Sequence, residues 1–385
     1  MLNYAVIQSQ QLSSKFIYNN IFLMNKNHQD TSVLIVGGGP TGLTAALELA
    51  RNGVNCRVVE RREAPSPFSR AVGIMPNTMR LLEPSGAAEL IKAKSIMASA
   101  LEIYVDADKV FEMPLDRHPD PSIRLFCLPQ DQTESILAQR AGELGVSVEY
   151  GRRFESLEDD GDRVMATVDG ETREYDYVLG ADGSRSTVRG EIGLTAEGFD
   201  LDDEWAIADV EAPNWAEKPG LFRVYIQDEG VVVFVIPMSP TRYRVVSSRP
   251  GALSTLNVEM PIKHIYREGN FLISVRQVPG YRRGKVFLMG DAAHTHSPVG
   301  GRGMNLGIAD AAHFATCYVS GTLEDYSDNR HQIGVDTIAY TEKVRRTIMA
   351  PMNRTRRAAL QLFNFASLIP GVPEKVTKKM VSGEF

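Results

Sequence analysis

The chain has 385 residues and a formal net charge of −6, so it carries no general attraction for nucleic acid or an anionic membrane. Its apolar runs, Val231 to Ile236 among them, are far too short to span a bilayer, while its length predicts a large core and two intertwined domains. Three scattered cysteines, Cys56, Cys127 and Cys317, have neither zinc nor CxxC spacing, which predicts reduced thiols in the cytoplasm and no metal site.

Residues 1–31 precede the first strand pattern. Met1 to Phe22 has no clear basic start, no long apolar core and no arginine, which disfavours a signal or transit peptide. A disordered tail or an upstream start codon is the expectation, with Met24 at a natural starting position. The apolar run Val33 to Val36 then predicts a buried parallel strand. Gly37, Gly39 and Gly42 follow it at dinucleotide spacing: one for a tight turn, one for close backbone approach to a pyrophosphate, one for helix–strand packing. Pro40 suits the first helical turn, beside Thr41. Leu43, Ala46, Leu47 and Ala50 repeat at helical period, and Gly53 is placed to stop the helix. Val54, Cys56, Val58 and Val59 make the next strand, ending at Glu60, where a carboxylate can accept from a ribose diol. On this segment alone, NAD and FAD both remain open.

Further along, Leu101 to Val105 and Ile123 to Leu128 have strand character around a Pro/Asp-rich turn. Tyr177 to Ala181 predicts another buried strand, turning at Asp182-Gly183 into a short helix that Ser186 can cap. Trp205 to Val210, Phe222 to Ile226, Val231 to Ile236, Tyr243 to Ser247 and Phe271 to Val275 follow without intervening helices, the pattern of an antiparallel sheet. A second glycine signature comes late: Val286 to Met289, then Gly290-Asp291-Ala292-Ala293-His294 and Gly300-Gly301-Arg302-Gly303-Met304-Asn305. Two such signatures far apart predict a chain wrapped around one long dinucleotide. Asn305 to Cys317 reads as a helix, and residues 346–385 as a basic helical tail broken by Pro370 and Pro373.

Together, Gly37 to Glu60, Asp182-Gly183, and Gly290-Asp291 with its glycine loop resemble the flavin-dependent aromatic hydroxylases of the para-hydroxybenzoate hydroxylase type, the class A flavoprotein monooxygenases. The resemblance spans about residues 32–345. Phe68-Ser69-Arg70-Ala71, Leu128-Pro129-Gln130 and Phe271 to Tyr281 also match family segments. It implies an α/β fold: a Rossmann-like FAD-binding domain at 32–200 and 277–345, with residues 99–128 contributing to the substrate side. An inserted antiparallel β-sheet substrate domain would occupy 201–276, and a C-terminal helical segment 346–385. It assigns the cofactor to Gly37, Gly39, Pro40, Thr41, Gly42, Glu60, Arg61, Arg70, Gln130, Asp182, Asp291, Pro298, Gly300, Gly301, Gly303, Met304 and Asn305. Asp291 would take the ribityl chain, and Pro298 to Asn305 would line the flavin ring. The implied chemistry is NADH- or NADPH-driven oxygen insertion into a phenolic or related aromatic or polyketide substrate through a flavin C4a-hydroperoxide. The nicotinamide nucleotide would bind transiently, since no second GxGxxG is present.

Arg223, Tyr225, Phe234 and Pro298 are candidates for the substrate pocket, with Ile236 and Pro237 nearby. Arg223 and Tyr225 alternate with Phe222 and Val224, so one pair faces away. An arginine in the pocket would favour a carboxylated substrate. His294 belongs to the flavin motif, which predicts a packing role; no base for a phenol stands out. A halogenase, another flavin oxidoreductase and a non-catalytic FAD-binding protein remain alternatives, and monomer and homodimer are equally open. Residues 1–23 are expected to be dispensable: a chain beginning at Met24 should keep its flavin content and melting temperature, and a large fall in Tm would show that the extension packs on the fold.

Overall fold

A computed structural model describes residues 32–67, 69–106, 108–116, 124–216, 218–227, 230–351, 353 and 355. The extension 1–31, Phe68, and nearly all of the expected tail therefore lie outside the described residues. In chain order the elements begin β1 (Ser32–Val36), α1 (Pro40–Arg51), β2 (Asn55–Glu60), β3 (Gly73–Ile74), α2 (Pro76–Leu82), α3 (Ala87–Lys94), β4 (Ile96–Met97), β5 (Ala100–Val105), β6 (Asp108–Pro114) and β7 (Phe126–Cys127). Next come α4 (Gln130–Glu143), β8 (Val148–Tyr150), β9 (Phe154–Asp159), β10 (Val164–Val168), β11 (Glu171–Tyr175), β12 (Tyr177–Gly180), α5 (Thr187–Glu191), β13 (Glu197–Asp200) and β14 (Trp205–Glu211). The rest are β15 (Leu221–Ile226), β16 (Val232–Pro237), β17 (Arg242–Ser247), α6 (Ala252–Thr255), β18 (His264–Phe271), β19 (Ser274–Gln277), β20 (Arg282–Arg283), β21 (Val286–Leu288), β22 (His294–Thr295), α7 (Gly303–Ser320) and α8 (Glu324–Met349).

The two glycine signatures meet because their strands share one sheet, in the order β20-β21-β12-β1-β2-β8, parallel throughout except at β20. Val33, Leu34 and Ile35 are wholly buried beside Val178, Leu179 and Phe287, as expected of strands covered on both faces. Their carboxyl ends lie together at one edge of the sheet. There Ala181 donates to the Val36 carbonyl at 2.8 Å and Met289 to that of Gly180 at 3.0 Å. Gly37, the Asp182 turn and the Gly290 turn therefore emerge side by side, the usual place for a ligand in an open α/β sheet.

The second large sheet has the order β18-β14-β17-β16-β15-β5-β6. Its pairs are antiparallel except that between β15 and β5, by which residues 100–114 join a sheet built mainly from 205–271. Two expected strands differ. The run Phe271 to Val275 is broken between β18 and β19, because the chain changes sheets there. Leu272 is exposed, while Ile273 is buried with Trp205 and its carbonyl accepts from Leu201. Of Ile123 to Leu128, only Phe126–Cys127 pairs among the described residues. The late helix is longer than the sequence suggests, running from Gly303 to Ser320.

Two glycines make the turn after β1 possible. Gly37 has φ +115°, and a Cβ there would overlap the Ala181 carbonyl. A Cβ on Gly42 would overlap the Gly37 carbonyl. Gly42→Ala should therefore cost about 1–3 kcal/mol through overpacking, measured as a lowered Tm. An unchanged Tm would show that the turn can relax.

Candidate cofactor cleft and active site

Around the first turn, the backbone is crowded everywhere but at one place. A Cβ on Gly39 would meet no heavy atom within 4 Å. Its open side lies at the N-terminus of α1, where no side chain caps the helix and Pro40 occupies the first turn. That leaves a positive helix end beside accessible backbone. Thr41 fills a notch between the two signatures: a Cβ on either Gly290 or Gly307 would collide with its Oγ1. Glu60 is buried at the end of β2, where its Oε2 accepts from the Gly38 N–H at 2.8 Å. Burial pushes its carboxyl up, but the Arg62 guanidinium and the backbone N–H groups of Arg62 and Gly38 outweigh this and hold it below the usual range. The guanidinium at Glu60 belongs to Arg62, at 3.1 Å, whereas Arg61 is exposed.

The Asp182 carboxylate is turned toward its own helix. It accepts from Ser186 Oγ at 2.5 Å and from the N–H groups of Thr187 and Val188 at 2.7 and 3.2 Å. Ser186 caps the same helix, accepting from the Arg189 N–H at 2.9 Å. Asp182 therefore shapes the turn, and the cleft gains backbone there rather than a free carboxylate. Asp291, in the short helical turn Gly290–Ala292, is exposed at its side chain while protein crowds round it. Burial raises its carboxyl, and His294 and Arg70 partly oppose the shift.

Behind Asp291 sits a fully buried ionic group that the sequence reading did not single out. Asp310 Oδ2 accepts from the Gly290 N–H at 2.9 Å and lies 2.6 Å from His294 Nε2, while Oδ1 accepts from Arg330 Nε at 2.6 Å. This carboxylate ties the Gly290 turn to α7 and α8. Desolvation pushes Asp310 up, but the nearby Arg330 and His294 hold it below its ordinary value. His294 thus has the packing role expected of it. His296 donates from Nδ1 to the Ser297 carbonyl at 2.8 Å, and burial holds its ring down to about 4.

The glycine loop before α7 is open on the cleft side. Gly300 and Gly301 have φ +94° and +63°, and a Cβ on either would meet nothing within 4 Å. Pro298 is exposed and Met304 half-buried. Gly303 approaches His296. Asn305, expected at the ring, uses its side chain internally. Its Oδ1 accepts from the Met75 N–H at 2.9 Å and Thr78 Oγ1 at 2.7 Å, and its Nδ2 donates to the carbonyls of Gly73 and Gly301. Gln130 is likewise committed: its Oε1 accepts from the Ala71 N–H and its Nε2 donates to Glu134. The Ser69-Arg70-Ala71 segment is held from the other side by Arg244, which donates to the carbonyls of Ser69 and Arg70 while pairing with Asp209 at 2.7 and 2.8 Å.

These features fit FAD. Backbone is bare at Gly39, Gly300 and Gly301, and a carboxylate stands on the cleft wall at Asp291. A family model described as an FAD binding domain matches residues 30–256 and 263–341. The chain belongs to that FAD-binding family. Curated relatives named as monooxygenases identify it as an FAD-dependent monooxygenase. An uncharacterized aromatic compound monooxygenase of Bacillus subtilis, YhjG, is 30% identical over 80% of this chain and 67% of its own length. The 12-dehydrotetracycline 5-monooxygenase/anhydrotetracycline 6-monooxygenase of Streptomyces rimosus is 31% identical over 80% of this chain and 68% of its own length. The crystal structure of p-nitrophenol 4-monooxygenase from Pseudomonas putida superposes with a TM-score of 0.79 at 22% identity, covering 92% of this chain and all of that one, a likeness of fold.

In this flavoprotein the pocket candidates divide between the two faces of the second sheet. Arg223 and Tyr225 face away from the cleft, which corrects the expectation for both. Arg223 pairs with Glu102 at 2.9 Å and lies over the Trp215 ring; Tyr225 is 3% exposed, stacked on Tyr104 and packed with Tyr243. Strand alternation sends Phe222 and Val224 to the other face with Phe234. Phe234 stacks on Trp205 and joins a cluster with Val246, Val299 of the glycine loop, and Ile338, Val344, Ile348 and Met349 of α8. The sequence reading missed Trp205, Val246 and the α8 residues, since core and pocket apolars look alike along a chain. Gly39→Asp is expected to weaken FAD binding at least about a hundredfold by placing negative charge against the pyrophosphate, with the apoprotein Tm unchanged. Normal FAD affinity would refute this use of the loop.

Proposed function

We propose that this monooxygenase hydroxylates a phenolic or related aromatic or polyketide substrate, using NADH or NADPH as reductant and oxygen as co-substrate. The observation that supports the reading is one apolar sheet face, with Phe234 and Val246, that shares a cluster with Val299 of the loop before α7, the loop that the resemblance assigns to the flavin ring. FAD would supply electron transfer from the nicotinamide and activation of oxygen. The chain's own residues would bind, orient and exclude water. Gly39 and the N-terminus of α1 would cradle the pyrophosphate, Glu60 the adenosine ribose and Asp291 the ribityl hydroxyls. The N-terminus of α7 would place positive potential at the pyrimidine edge, favouring negative charge on the reduced ring. Asp182, Asn305 and Gln130 would act through the backbone they hold. Gly300 and Gly301 would give the loop freedom to move between a reducible and an oxygen-reactive arrangement. A dry pocket protects the activated oxygen from loss as hydrogen peroxide, and the row of Phe234, Val246 and Val224 suits that need. All three cysteines are free, in keeping with a reducing compartment such as the cytoplasm.

The test is stoichiometry on the holoenzyme with a panel of phenols and quinones. Binding of a true substrate should raise NADH or NADPH oxidation by about tenfold or more through flavin repositioning. One oxygen should be consumed and one hydroxylated product formed per nucleotide. Halide-dependent turnover would mean a halogenase, product without oxygen uptake another flavin reaction, and tight flavin without turnover a binding protein.

A further inference from the structure

The backbone of residues 69–71 is held from two sides. The Ser69 carbonyl accepts from Arg244 Nη2 at 2.9 Å and from Arg267 Nη1 at 2.8 Å, and the Arg70 carbonyl accepts from Arg244 Nη1. Opposite them, the Ala71 N–H donates to Gln130 Oε1 at 3.0 Å, and the Ala71 carbonyl accepts from Ser69 Oγ at 2.9 Å and from the Gln130 N–H at 3.1 Å. Ser69 is buried, yet the side chain that this backbone presents, Arg70, is exposed. Among the described residues the Arg70 guanidinium has neither a hydrogen bond nor an ion pair. Burial raises the Asp291 carboxyl, and His294 and Arg70 oppose the rise, which puts the Arg70 charge beside the cofactor cleft.

Arg244 suits this task by its shape. Register sets it opposite Asp209 across β14 and β17, and its Nε and Nη2 grip that carboxylate at 2.7 and 2.8 Å. The remaining N–H groups of the planar fork point at the Ser69 and Arg70 carbonyls. Asp209 cancels the charge, so Arg244 brings the segment hydrogen bonds without bringing a second free cation. A lysine at this position would keep the charge but lose the plane, and a single ammonium cannot serve both carboxylate oxygens and both carbonyls in one arrangement. A loop ordered in this way meets its ligand with the backbone already fixed, which favours binding. The anionic part of FAD is its pyrophosphate, the group a free guanidinium recognises best.

Resting on the assignment of Arg70 to the cofactor, we propose that Arg244 is a positioning residue for FAD: braced by Asp209, it holds the Ser69 and Arg70 carbonyls so that the Arg70 guanidinium meets the pyrophosphate. The antiparallel sheet thereby contributes to cofactor affinity through two backbone carbonyls of the other half of the molecule.

The experiment dilutes the FAD-loaded enzyme and reads released FAD by its fluorescence, giving a dissociation constant for each variant at low and at high salt. Arg70→Gln should weaken FAD binding about tenfold and flatten its salt dependence, as when one charged contact to a phosphate is lost. Two variants probe Arg244. One is Arg244→Lys. The other combines Arg244→Met with Asp209→Leu, which removes one charge of each sign and leaves no bare partner in the core. Each should weaken FAD binding about as much as Arg70→Gln and flatten the salt dependence likewise, although the combined variant has the net charge of the parent. Added to Arg70→Gln, either change should weaken binding by less than about twofold more, because a residue that acts through Arg70 is not additive with it. Additive losses, an unaltered salt dependence in the combined variant, or normal affinity in both Arg244 variants would overturn the proposal and leave Arg70 at the cofactor. Normal affinity in Arg70→Gln would remove Arg70 from the cofactor and overturn the proposal with it.

Discussion

The buried pair between Arg244 and Asp209 governs how the two halves of the molecule meet. Both side chains are 2% exposed, and the two contacts at 2.7 and 2.8 Å form a planar, two-toothed pairing. Arg244 then spends its remaining N–H groups on the carbonyls of Ser69 and Arg70. Breaking such a pair by deleting one partner costs about 3–5 kcal/mol, because a bare charge is left without water. The antiparallel sheet therefore cannot slide relative to the Ser69-Arg70-Ala71 segment without opening this group. Gln130 fixes the same segment from α4, so the arginine loop is clamped between α4 and the antiparallel sheet.

A second constraint acts at the edge of the parallel sheet. Asp310 ties the Gly290 turn, α7 and α8 together, and Thr41 packs into the space left by Gly290 and Gly307. The consequence is rigid backbone immediately behind the cleft and bare backbone in front of it. Gly37 and Gly42 are glycines because protein atoms crowd them. Gly39 has no such neighbour and an ordinary φ, so packing does not explain its lack of a side chain; Gly300 and Gly301 are open as well, but their positive φ already favours glycine. Within one motif, geometry thus separates the glycines that build the turn, Gly37 and Gly42, from Gly39, which leaves backbone open.

The second sheet shows how a single alternation decides chemistry. Arg223 and Phe234 belong to adjacent strands, yet they point to opposite sides. One side buries the Arg223–Glu102 pair and stacked tyrosines; the other packs Val224, Phe234 and Val246 against α8 and Val299 of the loop before α7. Had β15 slipped by one residue, Arg223 would face the cleft and the site would bear a cation.

The sequence by itself determined the parallel sheet, both glycine signatures and their common cofactor, because those features are local: apolar runs of strand length, glycines at fixed offsets, and acids at strand ends. The Ser186 cap and Glu60 at its strand end could be read from spacing, and Asp291 from the resemblance of its motif. Tertiary structure decided the rest. Gln130 and Asn305 satisfy backbone groups whose partners, the Ala71 and Met75 N–H groups among them, are distant in sequence, whereas Asp182 serves the start of its own helix. Arg62 rather than Arg61 reaches Glu60, a matter of which way one strand end turns. Asp310, Arg330 and Arg244 carry no sequence signature, since a charged residue in a helix or strand usually faces solvent and only the packed fold buries it against its counter-ion. The substrate face belongs to the same class: an apolar strand residue looks alike whether it fills a core or lines a cleft, and only the sheet register and the elements packed across from it tell the two apart.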